Sequence, residues 1–288
     1  MASSAPRTRI QLNNILFCTD FSEAASHAVP YATEFAQHFG SKLYGLHVRT
    51  SDPDLNVDLR KFDKARADEK VRSQIRKLPE TQTEVLIKEG DLWSSVEATI
   101  QEKQIDLLVI GTRGRTGIKK FLLGSAAEEI FRRATCAVLT VGPHAPSQPS
   151  RRAEISEIIY AVDFSPESLA AAPYAISLAQ EYQANLTLLH VIAAPKSGDL
   201  VTTEQLQNST ERRLHELVPA GSELWCKPHC IVGQGPAADE IVSIAAQRNA
   251  DLIVLGVRRP HGAATHLPIA TAHKVVSHAT CPVLTVRG

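Results

Sequence analysis

The chain has 288 residues, which is enough for about two domains of roughly 150 residues each. Lys and Arg number 31 and Asp and Glu also number 31, so the formal net charge is zero and we expect no nucleic-acid partner. No apolar run reaches the ~18 residues of a membrane helix, and residues 1–14 lack the apolar centre of a signal peptide. We therefore expect a cytoplasmic protein without a membrane partner. Its five Cys residues are too few, and odd in number, for a secreted disulfide framework.

The sequence repeats itself. Asp20-Phe21-Ser22 returns 143 residues later as Asp163-Phe164-Ser165, and Ala134-Thr135-Cys136 returns 145 residues later as Ala279-Thr280-Cys281. Between the copies, residues 142–150 contain three prolines and small polar residues, which favour an extended connection. These features predict two tandem domains, 1–146 and 151–288.

Within each copy, strand-length apolar runs alternate with longer segments of helical periodicity. In the first copy the predicted strands are Ile15–Thr19, Leu43–Val48, Val85–Ile87, Leu107–Ile110 and Ala137–Val141. The helix after the first strand closes at Gly40, and we expect Pro30, like Pro173 in the second copy, to kink it. The alternation predicts an α/β fold made of two doubly wound, five-stranded parallel-sheet domains.

The loop after the fourth strand holds the candidate chemistry, because ligands of open parallel sheets bind beyond the carboxyl ends of the strands. Gly111, Gly114 and Gly124 are separated by two and nine residues, and Ser125 follows directly. Glycines let a backbone approach phosphate closely, and free amides at the start of a helix favour an anion. The loop also contains Arg113, Arg115, Lys119 and Lys120. From spacing alone, a phosphate site and a flexible, solvated loop with Ser125 as an N-cap both remain open.

The chain contains neither a glycine-lysine-serine/threonine P-loop nor a G-x-G-x-x-G fingerprint. The whole pattern instead resembles the universal stress protein family, whose nucleotide-binding members carry G-x2-G-x9-G followed by serine or threonine. Gly111, Gly114, Gly124 and Ser125 fit this motif, and the resemblance extends from Ile10 to Arg287. It implies a Rossmann-like fold of the adenine nucleotide alpha hydrolase type in both copies.

The resemblance also implies a ligand and its contacts. Asp20 and Val48 match the residues that contact adenine in the family. The residues that match the loop around ribose and phosphates are Gly111, Arg113, Gly114, Gly124, Ser125 and Ala126. The implied ligand is ATP, with an accompanying Mg²⁺ left open and no protein metal ligand predicted. For Asp20 alone, a turn-forming or helix-capping role is an equal alternative.

The second copy departs from the motif. Arg259, Ile269 and Ala270 stand where the first copy has Gly114, Gly124 and Ser125, and Pro268 replaces Leu123. These changes remove a hydroxyl and an amide hydrogen and add bulk in the loop. We therefore expect one ATP per chain, in the first domain, and a structural or regulatory second domain.

The leading hypothesis is an ATP-binding regulatory protein of the stress response. The alternative is a slow ATP hydrolase or nucleotidyl-transfer enzyme of the same fold, which would need a positioned base and usually a magnesium ligand. No catalytic residue is predicted, and Asp20 is the single nominee for a base. A phosphoacceptor receiver or flavin module shares the topology and is a third class.

For assembly, we expect the two copies to pair as an intramolecular pseudo-dimer through their fifth strands. A further homodimer and the downstream protein partner are left open.

Overall fold

The computed structural model describes residues 10–49, 57–112, 124–146, 155–192, 202–218, 228–258 and 268–288. The chain divides into two compact units, one within Gln11–Ala153 and the other within Glu154–Gly288, which also includes Ile10. None of the described helices is both long and apolar enough to cross a bilayer.

The first unit alternates strands with helices. In chain order its elements are β1 (Asn14–Cys18), α1 (Glu23–Phe39), β2 (Lys42–Arg49), α2 (Val57–Ile75), β3 (Thr83–Glu89), α3 (Leu92–Glu102), β4 (Leu107–Gly111), α4 (Ser125–Arg133) and β5 (Ala137–Val141), with a short 3-10 turn at Glu80–Gln82 before β3. The strands pair in parallel in the order β3-β2-β1-β4-β5. The predicted doubly wound fold is confirmed, and strand order reverses between β1 and β4.

The second unit repeats this architecture. Its elements are β6 (Glu157–Ala161), α5 (Pro166–Ala170), α6 (Ala172–Tyr182), β7 (Asn185–Ile192), α7 (Thr203–Glu216), β8 (His229–Gln234), α8 (Ala237–Gln247), β9 (Leu252–Val257), α9 (Pro268–His278) and β10 (Val283–Arg287). The strands are again parallel, in the order β8-β7-β6-β9-β10. The equivalent reversal lies between β6 and β9.

The central strands of the sheets are buried on both faces. Ile15, Leu16 and Phe17 of β1 have no exposed surface, and neither do Leu108 and Val109 of β4. A parallel sheet has helices on both faces, so its central strands consist of unbroken apolar runs instead of alternating apolar and polar residues. This is why short apolar runs were a sufficient signal for these strands.

An aspartate before the fourth strand of each unit fixes the register of the sheet. Asp106 Oδ2 accepts the backbone N–H groups of Asn13 and Asn14, at 2.8 and 2.9 Å. Asp251 Oδ2 does the same for Ser156 and Glu157, at 2.8 and 3.1 Å. The repeated Asp-Leu pair therefore has a structural role, holding the start of one central strand against the next.

The helix after the first strand differs between the units. In the first unit α1 continues unbroken through Pro30 and ends at Gly40, whose φ of 65° lies in the left-handed region. In the second unit the helix divides at Ala171, so Pro173 falls in the first turn of α6. Backbone N–H groups in a first helical turn have no intrahelical acceptor, so a proline there removes no hydrogen bond and costs little stability. Near Pro173 the helix of the second copy is therefore broken in two, whereas α1 of the first copy stays a single helix with Pro30 inside it.

Gly111, at the end of β4, allows a very close approach between a strand and a helix. A Cβ on Gly111 would lie 2.0 Å from the carbonyl oxygen of Ala24 in the first turn of α1. A Cβ on Gly256, its counterpart in β9, would lie 2.2 Å from the carbonyl oxygen of Glu167. Neither residue is in the left-handed region, so glycine is required for space rather than for backbone freedom. Gly111 therefore has a packing role, because its absent side chain accommodates α1, and its part in the nucleotide loop stays a prediction.

We predict that Gly111→Ala and Gly256→Ala each destabilise the protein by about 1–3 kcal/mol, the usual cost of overpacking. The added methyl group would collide with rigid helix backbone in both cases. Gly124→Ala is the matched control, because a Cβ there meets no atom within 4 Å in the part of the chain that the structure describes. Urea unfolding followed by circular dichroism measures all three variants. Equal stability of Gly111→Ala and Gly124→Ala would contradict the packing role.

Candidate functional site

A cavity of about 480 Å³ opens at the carboxyl ends of β1, β2 and β4 in the first unit. This is the point where strand order reverses, and where open α/β sheets bind their ligands. The cavity is lined by six of the eight predicted site residues, Asp20, Val48, Gly111, Gly124, Ser125 and Ala126. The other two, Arg113 and Gly114, lie outside the described residues. Its volume is within the usual range for small-molecule sites.

Asp20 leaves β1 in a tight turn. Its Oδ1 accepts the N–H of Ser22 at 2.9 Å, and Thr19 Oγ1 accepts the N–H of Phe21 at 3.0 Å. Ser22 is the N-cap of α1, and its side chain accepts the N–H of Ala25. Asp20 therefore has the turn-forming role that was one of its two alternatives, and Oδ1 is the atom that performs it. The side chain is exposed and lines the cavity, and no described residue donates a hydrogen bond to Oδ2.

Phe21 holds this turn in an unusual conformation, which the sequence reasoning missed. Its φ of 62° is in the left-handed region, where a bulky side chain is strained. The ring packs against His47 at 4.4 Å between centroids and lies under the Lys70 ammonium at 5.1 Å. His47 Nδ1 is 2.8 Å from the carbonyl oxygen of Thr19, which can only accept, so Nδ1 carries the proton.

The same arrangement recurs in the second unit. Phe164 has a φ of 61°, packs against His190 at 4.9 Å and lies under Arg213 at 3.8 Å. His190 Nδ1 donates to the carbonyl oxygen of Val162 at 2.6 Å. The paired histidines thus tie the ends of two neighbouring strands together. The available signal was the phenylalanine retained in both copies of the Asp-Phe-Ser repeat.

The amino terminus of α4 forms another wall of the cavity. Gly124 is the N-cap, and no side chain in the described part of the chain caps the first turn. The alternative in which Ser125 is the N-cap is therefore wrong, because Ser125 is already the first helical residue. Ser125 and Ala126 are exposed, and backbone N–H groups of a first helical turn have no intrahelical partner. An uncapped first turn facing a cavity suits an anionic group.

The described lining of this cavity is mostly uncharged. Asp20 is its single carboxylate, and burial raises the pKa of Cys18 to about 12, which keeps that thiol neutral. Among the described residues no group of three or more His, Cys, Asp or Glu side chains is placed to hold a metal ion. The site therefore offers an acceptor at Asp20 and backbone donors at α4.

The second unit has a cavity of about 370 Å³ at the ends of β6, β7 and β9. Asp163, Val191 and Gly256 line it, in the places of Asp20, Val48 and Gly111. Asp163 Oδ1 accepts both the N–H and the hydroxyl of Ser165, at 2.9 and 2.5 Å. Burial alone would raise the pKa of Asp163, but these hydrogen bonds outweigh burial and hold the pKa below its usual value.

The helix that follows the second cavity starts differently from α4. It begins at Pro268, two residues earlier than the position equivalent to Ser125, and proline has no amide hydrogen. Ala270, equivalent to Ser125, has no hydroxyl. Arg259 lies outside the described residues. The expected loss of phosphate donors in the second copy therefore applies to Pro268 and Ala270.

The folds and cavities define a protein with two doubly wound α/β units, each with a crevice at its topological switch point. The universal stress protein family model matches residues 11–142 and 154–287. The chain therefore belongs to the universal stress protein family and contains two of its domains in tandem. This confirms the predicted resemblance and places the protein among proteins of the stress response.

Similar proteins agree with this assignment. A universal stress protein of Methanocaldococcus jannaschii is 32% identical over 139 residues, which is 46% of this chain and 81% of the relative. Universal stress protein YxiE of Bacillus subtilis is 29% identical over 146 residues, or 46% of this chain and 99% of the relative. The crystal structure of a universal stress protein from Archaeoglobus fulgidus has a TM-score of 0.73 and 21% identity, covering 96% of this chain and 99% of its own. This last likeness shows the shared fold.

The two roles considered for Asp20 are separable by substitution. We predict that Asp20→Ala lowers the free energy of unfolding by about 0.5–1.5 kcal/mol, because the Ser22 amide loses its acceptor. Asp20→Asn should be less destabilising, since its side-chain oxygen can replace Oδ1 in the turn. Thermal unfolding of both variants checks this. If Asn and Ala at position 20 were equally destabilising, the turn would depend on charge rather than on the hydrogen bond.

Proposed function

We propose that the first unit binds an adenine nucleotide, with ATP as the ligand, and that the protein acts in the stress response through this binding. One observation carries the proposal. A single cavity at the switch point joins Asp20 Oδ2, to which no described residue donates, to the amino terminus of α4, which no described side chain caps. A nucleotide requires both an acceptor for its hydrogen-bond donors and a donor set for its phosphates.

The adenosine part of the ligand is assigned to the β1 and β2 side of the cavity. Asp20 Oδ2 would accept a hydrogen bond from the adenine amino group or a ribose hydroxyl. Leu46, Val48 and Ile110 line the cavity with apolar surface that suits a flat base.

The phosphates are assigned to the amino terminus of α4. The backbone amides of Ser125 and Ala126 and the Ser125 hydroxyl are the donors available there. The open space beside Gly124 leaves room for a phosphate to approach the backbone. Arg113 and Gly114 remain predicted members of this group from the loop motif.

A binding role is favoured over an enzymatic one by the same lining. Hydrolysis or nucleotidyl transfer needs a positioned base and a metal held near the phosphates. Among the described lining residues the one carboxylate is Asp20, and its Oδ1 is already engaged by Ser22. An Mg²⁺ bound with ATP would be held by the phosphates and water, in keeping with the preferences of that ion.

Calorimetric titration of the full chain with ATP should give one site per chain. Gly124→Val should abolish this binding, because its side chain would occupy the space assigned to phosphate. Because no atom of the described residues lies within 4 Å of a Cβ at Gly124, the variant should fold normally, and its thermal unfolding is the control. Gly124→Ala should weaken ATP by less than Gly124→Val does. Full affinity in a folded Gly124→Val chain would exclude the proposed site, and two ATP per chain would show that the second unit also binds the nucleotide.

Asp20 should matter for the nucleoside and not for the phosphates. We predict that Asp20→Asn weakens ATP by about tenfold, the cost of one hydrogen bond to a charged group. The affinity of inorganic phosphate, measured by its competition with ATP, reports the phosphate subsite. This affinity should be the same in Asp20→Asn as in the unaltered chain. An equal loss for ATP and for phosphate would move Asp20 out of the nucleoside contact.

A further inference from the structure

The side chain that ties β2 to the end of β1 lies outside the first cavity. Leu46 and Val48 both line the cavity, and consecutive side chains of a strand point to opposite faces, so His47 between them points away from it. Phe21 is likewise absent from the described lining, although Asp20, the residue before it, is present. The rings of His47 and Phe21 therefore pack together on the side of the turn that faces away from the cavity.

The His47 side chain binds the backbone at the point where the main chain leaves the sheet. The N–H of Thr19 still donates to the carbonyl oxygen of Leu46 at 2.9 Å, in the pattern of a parallel ladder. The carbonyl oxygen of Thr19 accepts from the side chain of His47, at 2.8 Å from Nδ1. Because Thr19 immediately precedes Asp20, its peptide group sets the direction in which the aspartate leaves the strand. A side-chain donor therefore fixes this peptide group.

The second unit keeps the histidine contact and lacks another contact of the first turn. The carbonyl oxygen of Val162 accepts from His190 Nδ1 at 2.6 Å. Thr19 Oγ1 accepts the N–H of Phe21, but Val162 has no hydroxyl to do the same. The left-handed phenylalanine is nevertheless present as Phe164, with a φ of 61°. The histidine contact is thus common to both strained turns, whereas the threonine hydroxyl is not.

A positive φ at phenylalanine needs support from its surroundings, because this conformation persists in a bulky residue only where other contacts outweigh its cost. Phe21 lies between the His47 ring, at 4.4 Å, and the Lys70 ammonium, at 5.1 Å. Without the bond from His47 to Thr19, the turn would be free to relax toward negative φ. The Asp20 side chain would then lose its fixed orientation, because it adjoins both residues.

We propose that His47 is a positioning residue, which holds the Asp20 carboxylate toward the nucleoside without touching the ligand. The identity of the ligand rests on the proposed function, whereas the positioning rests on the contacts of His47. The effect of His47 should be confined to the part of the nucleotide that Asp20 contacts. The phosphate end, at the amino terminus of α4, should not depend on it.

The first test separates the hydrogen bond of His47 from its packing. His47→Phe keeps an aromatic ring against Phe21 but removes the donor to Thr19, and in calorimetric titrations of the full chain it should weaken ATP by about fivefold. His47→Asn has a side-chain N–H donor and should bind ATP within about twofold of the unaltered chain. The affinity for inorganic phosphate, measured by its competition with ATP, should not change in either variant. His190→Phe, the same change in the second unit, is the matched control and should leave ATP affinity unchanged.

A double-mutant cycle tests whether His47 acts through Asp20. In the Asp20→Ala chain, His47→Phe should change ATP affinity by less than about twofold, because the contact that it supports is already absent. The full loss in that background, or an unchanged ATP affinity in His47→Phe alone, would overturn the proposal. An Asn variant as weak as the Phe variant, or an equal loss of phosphate affinity, would also overturn it. Thermal unfolding of each variant controls for folding.

Amide hydrogen exchange, followed by NMR, separates this proposal from the proposed function. The N–H of Ser22 donates to Asp20 Oδ1, so its exchange rate reports whether the turn is held. His47→Phe should accelerate this exchange by about fivefold or more and leave the amide of Phe17, within β1, unchanged, whereas His47→Asn should accelerate neither. If the unaltered chain did not bind ATP, the proposed function would be wrong, and faster Ser22 exchange would still support the positioning role. Unchanged Ser22 exchange in His47→Phe would overturn that role whether or not ATP binds.

Discussion

The close approach of a helix backbone to the glycine at the end of the fourth strand is the contact on which each unit depends. The carbonyl oxygen of Ala24 lies where a side chain on Gly111 would be. The carbonyl oxygen of Glu167 likewise lies where a side chain on Gly256 would be. Because this contact places the first turn of the helix over the strand end, it also sets one wall of the cavity. A residue with a side chain would push the helix away and open the crevice. Fold and site therefore share one constraint.

The turn after the first strand is a second shared element. Phe21 and Phe164 both adopt a left-handed conformation that is costly for a bulky residue. Each turn is held by hydrogen bonds that its own aspartate accepts and by packing against a histidine of the neighbouring strand, whose Nδ1 donates to the carbonyl oxygen of the residue before that aspartate. Such strain persists only where the surrounding contacts outweigh it. The result is a fixed rim that presents an aspartate to the cavity in both units.

On this common frame the two units differ in electrostatics. The first has one carboxylate in its described lining, and no described side chain caps the start of α4. The second has a proline at the helix start and a further carboxylate opposite an arginine. These changes lie in the lining and leave the packing contact of Gly256 unchanged, so the fold tolerates them. A duplicated domain can thereby alter the charged residues around its cavity while its fold is retained.

The architecture was readable from the sequence because its signals are local or repeated. Buried parallel strands appear as apolar runs, Gly40 marks the end of α1, and the offset between Asp20 and Asp163 reveals the duplication. The glycine-serine loop likewise predicted a site at the carboxyl ends of the strands. Six of the residues predicted from this loop and from the strand ends line one cavity there. The structural roles of individual residues were harder to predict from the sequence. Gly111 is needed because of Ala24, 87 positions earlier in the chain, and the ion pair of Glu167 with Arg258 spans 91 positions. Neither contact leaves a periodic pattern, since each depends on the sheet bringing distant segments together. Only the tertiary structure could show that one glycine makes room for a helix and that Glu167 meets Arg258.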